Sequence, residues 1–151
     1  MGILFVLLTA FIFPPCYLLS RSIARGANYY LFLLFLFFLF LMELLLLAVF
    51  QFLDLFFFYF CFEAVLIPMF LLIGQWGSRE RRITAAYYFF LYTLITSMCV
   101  FVSIFYLFST LGTTLYPLLS DRPFSIMEET YLAAAFFITF GTKIPMFPFH
   151  I

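Results

Sequence analysis

Between Leu55 and Gly74 the chain runs for twenty residues with a single charge, Glu63, near the middle, and an arginine cluster follows at once. At a rise of about 1.5 Å per residue such a helix is about 30 Å long, the thickness of a bilayer's hydrocarbon core. Asp54 sits at its entrance, where water or headgroups can solvate it. Glu63 lies nine residues further in, roughly 13 Å deeper along the axis. An ionised carboxylate at that depth has little water around it and is costly unless paired or protonated. The expectation is that Glu63 handles charge inside a membrane.

Composition agrees. Of 151 residues 68% are hydrophobic and 9% charged, and the mean hydropathy is +1.22. A soluble domain carries about 25% charged residues, so this chain has too few polar groups to cover an outer surface and reads as an integral membrane protein. Its net charge is zero, which points to neither nucleic acid nor an acidic partner. Cys16, Cys61 and Cys99 stand singly in apolar runs, without metal-ligand spacing, and read as packing residues rather than as a metal site or disulfide. Phenylalanine occupies 27 positions. The bilayer demands apolar residues but not this one, and A/T-rich coding in an organellar genome would account for the excess.

The expected fold is an all-α, polytopic transmembrane bundle, a single membrane domain over 1–151 with about five spans at 2–20, 29–50, 55–74, 84–108 and 130–151. The first has neither the basic start nor the small-residue cleavage site of a signal peptide, and so reads as a retained span despite Pro14 and Pro15. If the spans alternate, Arg21, Arg25, Arg79, Arg81 and Arg82 fall on one side and Arg122 alone on the other. The positive-inside rule then places the basic loop around Arg79, Arg81 and Arg82 in the cytoplasm or its mitochondrial equivalent, the matrix. Trp76 is placed as an interfacial anchor.

The last stretch, GTKIPMFPFHI, is built to break. Gly141 loosens the helix, Pro145 removes the hydrogen bond that the Gly141 carbonyl would accept, and Pro148 does the same to Ile144. Lys143 stands at this break. Broken helices bearing ionisable side chains are what ion-translocating proteins use for binding sites, which makes Glu63 and Lys143 a candidate charge pair, with a structural ion pair as the alternative. His150 reads equally as a proton relay or as part of a frayed end. Glu43 is either a second buried site or a neutral, hydrogen-bonded acid, and Asp54 a solvated helix start. No nucleophile elbow, phosphate loop or paired-cysteine pattern is present.

These residues carry a family resemblance. FEAVLIPMFLLIGQWGSRERRITAAYYFFLYTL, followed at a distance by GTKIPMFPFHI, resembles the subunit 4 family of mitochondrial NADH:ubiquinone oxidoreductase, respiratory complex I. The first segment, FVLLTAFIFPPCYLLS, is similar to the third helix of that family. The resemblance implies a piece of an antiporter-like, proton-pumping subunit of the complex's membrane arm, covering about helices three to seven. Glu63 then corresponds to the glutamate of the fifth helix and Lys143 to the lysine of the discontinuous seventh, the pair thought to control the lysine's proton affinity. His150 matches a histidine leading towards the next helix, and Glu43 a glutamate often seen on the fourth.

The resemblance further implies an inner mitochondrial membrane location, mitochondrial encoding, lipid and other membrane-arm subunits as partners, and separate chains supplying the missing helices. It implies no cofactor on this chain, with NADH, FMN, iron–sulfur clusters and ubiquinone handled elsewhere in the complex. A fragment of a homologous cation/proton antiporter and a non-catalytic membrane scaffold are the competing readings.

Overall fold

A computed structural model describes residues 2–23, 28–121, 123–144 and 146, with 21–23 as backbone only. Helices α1 (Gly2–Ile23) and α2 (Tyr29–Gln51) form an antiparallel hairpin. At its open end Phe5 stacks on Phe50 with ring centroids 5.2 Å apart. Gly2 lies so near α2 that a Cβ there would stand 2.9 Å from the Phe50 carbonyl. Helix α1 passes through both Pro14 and Pro15.

The run expected as one continuous span is two helices, α3 (Leu55–Ala64) and α4 (Leu66–Trp76), meeting at Val65. Pro68 explains the interruption: it has no N–H for the Ala64 carbonyl, and its ring crowds that oxygen. Asp54 caps α3, accepting from Phe56 N at 2.8 Å. It is also tied across the bundle, because the Thr114 hydroxyl donates to Asp54 Oδ1 at 2.8 Å. A short antiparallel bridge adds Leu55 N to Thr114 O and Tyr116 N to Leu53 O at 3.0 and 2.9 Å.

Helix α5 (Arg82–Leu111) is thirty residues long, about 45 Å, and ends at Gly112 with φ 69°, a left-handed cap suited to glycine. Its inner face follows a heptad-like spacing, with Thr93, Ser97, Val100, Ile104 and Leu107 all buried. The small residues at the start of that stripe let neighbouring helices come close. Residues 109–129, between the expected fourth and fifth spans, contain helix α6 (Tyr116–Ser120) and the start of α7 (Ile126–Lys143). A capping box fixes that start: the Ser125 side chain accepts from Glu128 N, and Glu128 accepts from Ser125 N. The Ser-x-x-Glu spacing was the sequence signal for it.

Helix α2 packs on α1, α3 and α4, while α5 packs on α3, α4 and α7. Among the described residues four helical stretches are long and apolar enough to cross a membrane: Gly2–Ser20, Tyr29–Gln51, Leu55–Trp76 and Arg82–Leu111. Five spans were expected. Helix α7 departs from the other four because Glu128, Glu129 and Lys143 all fall within it. The outer faces stay apolar, with Ile3, Phe11, Tyr30 and Phe60 exposed, as a lipid- or helix-covered surface requires.

Candidate functional site

The α5–α7 contact sets where α7 ends. The Thr139 hydroxyl donates to the Thr96 carbonyl at 2.9 Å, and the Thr96 and Thr142 hydroxyls lie 3.0 Å apart. Each such interhelical bond contributes only about 0.6 kcal/mol in a bilayer. Together they fix the register of two helices that otherwise offer apolar surface. Thr96 stands midway along α5, so α7 finishes near half the bundle's depth, and Lys143 is in its last turn.

The expected release of the Gly141 carbonyl by Pro145 is compensated. Gly141 is buried, and its carbonyl accepts from Met146 N at 2.9 Å, one residue beyond the usual partner. Pro145, Pro148 and His150 lie outside the described residues, as does Arg122.

Lys143 reaches across to the last turn of α3. Its ammonium donates to the Phe62 carbonyl at 3.2 Å and sits 3.1 Å from the Phe62 ring centroid. The next residue is Glu63, half-buried and within electrostatic reach of Lys143. Glu63 Oε1 is buried without a protein hydrogen-bond partner. Thus the two charged side chains are brought to one place, at the α3–α4 interruption, while the lysine's hydrogen bond goes to the backbone beside the carboxylate. Ser97, fully buried on α5, faces Glu63 and the Tyr59 hydroxyl. Its own proton goes to the Leu94 carbonyl at 2.8 Å.

Glu43 is apart from this cluster in its contacts. It accepts a hydrogen bond from the Tyr17 hydroxyl at 2.8 Å, holding α1 to α2. Arg79 and Arg81 are exposed at the end of the bundle where Trp76 meets Phe35 and Phe38 edge-on. Arg82 has a local task, since its Nη1 donates to the Gly77 carbonyl at 2.8 Å and closes the turn between α4 and α5. The cysteines are free thiols, and among the described residues no group of three or more His, Cys, Asp or Glu gathers as a metal would need.

Four side chains escaped the sequence reading. Phe62 was one aromatic in a run of them, and Thr139, Thr142 and Ser97 were isolated hydroxyls. Pro68 was a legible signal for the break beside Glu63. The others acquire meaning only from the neighbour across the interface.

The fold and the site define a polytopic membrane protein with ionisable groups gathered at helix interruptions inside the bundle. The chain belongs to the NADH:quinone oxidoreductase/Mrp antiporter transmembrane family, whose model matches residues 53–151. It is 44% identical over 151 residues to the NADH-ubiquinone oxidoreductase chain 4 of Metridium senile, 44% over 152 to that of Arabidopsis thaliana and 45% over 151 to that of Chondrus crispus. Each comparison covers 99% of this chain and 30% of the relative. The chain thus spans under a third of the length of the curated relatives it matches.

Proposed function

We propose that this chain forms part of the proton-translocating membrane arm of a respiratory NADH:ubiquinone oxidoreductase in the inner mitochondrial membrane, with Glu63 and Lys143 as its working charge pair. The observation that carries the reading is the placement of Lys143 at the end of α7, mid-bundle, against the residue next to Glu63. A carboxylate and an ammonium this close, away from bulk water, each change the other's affinity for a proton. Movement of one charge then loads or releases a proton at the other. Redox chemistry and its cofactors belong, on this reading, to other parts of the complex. The apolar outer faces are covered by lipid, by other membrane-arm subunits and by helices corresponding to the rest of the relatives' length. His150 is a candidate for passing the proton onward, and Glu43 serves as a structural acid held by Tyr17.

The test is Glu63→Gln in the assembled complex, with proton translocation and NADH oxidation followed together in sealed vesicles. Gln keeps the shape and polarity but not the charge, so fewer protons should move per electron while the complex still assembles. Undiminished translocation would leave the charge pair as a scaffold element. The family description also covers antiporters; purification of the chain without peripheral redox subunits would favour that alternative.

A further inference from the structure

We propose that Phe62 is a positioning residue for Lys143. Its ring face and backbone carbonyl form a resting seat that holds the ammonium beside the Glu63 carboxylate without bonding to it. The inference deepens the proposed function and rests on Lys143 and Glu63 being its charge pair.

Two independent features make the seat. The ammonium lies 3.1 Å from the ring centroid, where the negative face of the aromatic quadrupole attracts a cation. It also donates to the Phe62 carbonyl at 3.2 Å. That carbonyl is in the last turn of α3, where the helix dipole leaves partial negative charge and favours a cation. The ring itself is braced. Phe58 stacks on it at 5.6 Å, and Phe140 meets it edge-on at 5.8 Å. Phe140 lies three residues before Lys143 on α7, so one helix supplies both the cation and a wall of its seat. Phe136 stacks on Phe140 at 6.0 Å and extends the brace.

Phe62 and Glu63 are consecutive, so the lysine's flexible stem can carry the ammonium from one to the other with α3 and α7 fixed. The unpartnered Glu63 Oε1 is the acceptor it would gain. Without the seat, the ammonium settles on the carboxylate and the pair stays closed. With it, open and closed positions compete, and a small change in local field selects between them.

The experiment compares Phe62→Leu, Phe62→Tyr and Phe70→Leu in the assembled complex, reading protons translocated per NADH oxidised. Phe62→Leu should lower the ratio severalfold, Phe62→Tyr should restore it by returning a π face, and Phe70→Leu, which removes a half-buried ring packed on Tyr87 and Phe90 instead, should leave most of it. In a Glu63→Gln background, Phe62→Leu should add no further loss. If Phe62→Leu does not assemble, Phe62→Met, which fills irregular space, takes its place. A parental ratio in Phe62→Leu or Phe62→Met alongside a reduced one in Glu63→Gln overturns the seat but keeps the charge pair. Equal loss in Phe62→Leu and Phe70→Leu also overturns it, because plain packing would then account for both. A parental ratio in Glu63→Gln removes the charge pair itself.

Discussion

Two glutamates stand within apolar helices of this chain, in contrasting surroundings. Glu43, on the α1–α2 hairpin, receives a hydroxyl proton from Tyr17. Glu63, at the α3–α4 interruption, has a buried oxygen without a protein partner and a lysine settled on the adjacent residue. A hydroxyl satisfies an acid without making its charge consequential. A neighbouring cation couples its charge to something that moves. The hairpin is tied by the Tyr17–Glu43 bond between largely aromatic and aliphatic surfaces, whereas the α3–α5–α7 region gathers hydroxyls, a helix break and two charges. The second region therefore has the components of a switch and the first those of a brace.

The largest effect that would sharpen this contrast is expected from Lys143→Met. Removing one member of a buried pair costs about 3 kcal/mol at the lower end of the usual range, and Glu63 then has no cation to answer. Proton translocation should collapse and the complex should melt earlier in detergent. The parallel change Tyr17→Phe should cost stability, about 1–3 kcal/mol for an acceptor left without its donor, with the proton-to-electron ratio retained. If Tyr17→Phe uncouples as strongly as Lys143→Met, the brace is also a pump element and the comparison fails.

A smaller effect is expected from Thr139→Val, which keeps the volume but removes the bond to the Thr96 carbonyl. The loss is about 0.6 kcal/mol for an interhelical bond in a membrane, read as a slight drop in melting temperature. Because that bond sets the register of α7, a modest fall in coupling should accompany it, and Thr139→Ser should recover both. Unchanged coupling would mean that packing alone places Lys143. The smallest effect belongs to Glu43→Gln, whose amide oxygen still accepts from Tyr17. Assembly, melting and proton-to-electron ratio should all stay close to parental, and a marked loss of coupling there would put a second charge site on the hairpin.

Much of this was legible without coordinates because it depends on local chain properties. Runs of apolar residues declare helices by length and composition. Charged residues so rare in the chain that each has to be accounted for direct attention to Glu63, Lys143 and Glu43. The interruption at Val65 was also within reach, since Pro68 acts on a carbonyl four residues back, as was the capping box of α7 in Ser125 and Glu128.

Only the tertiary structure decided what each charge meets. Sequence left Glu43 open between a second site and a hydrogen-bonded acid, because Tyr17 is twenty-six positions away and on another helix. It offered Lys143 and Glu63 as a pair but had no means of placing the ammonium over Phe62, eighty-one positions earlier. Periodicity and propensity act over a few residues, whereas these contacts depend on how far α7 slides along α5 before Thr139 and Thr142 meet Thr96. The sequence determined a bundle of membrane helices and the residues that bear charge. Packing between helices decided which carboxylate meets a hydroxyl and which lies beside a cation, since only helix–helix register sets the distances between side chains on different helices.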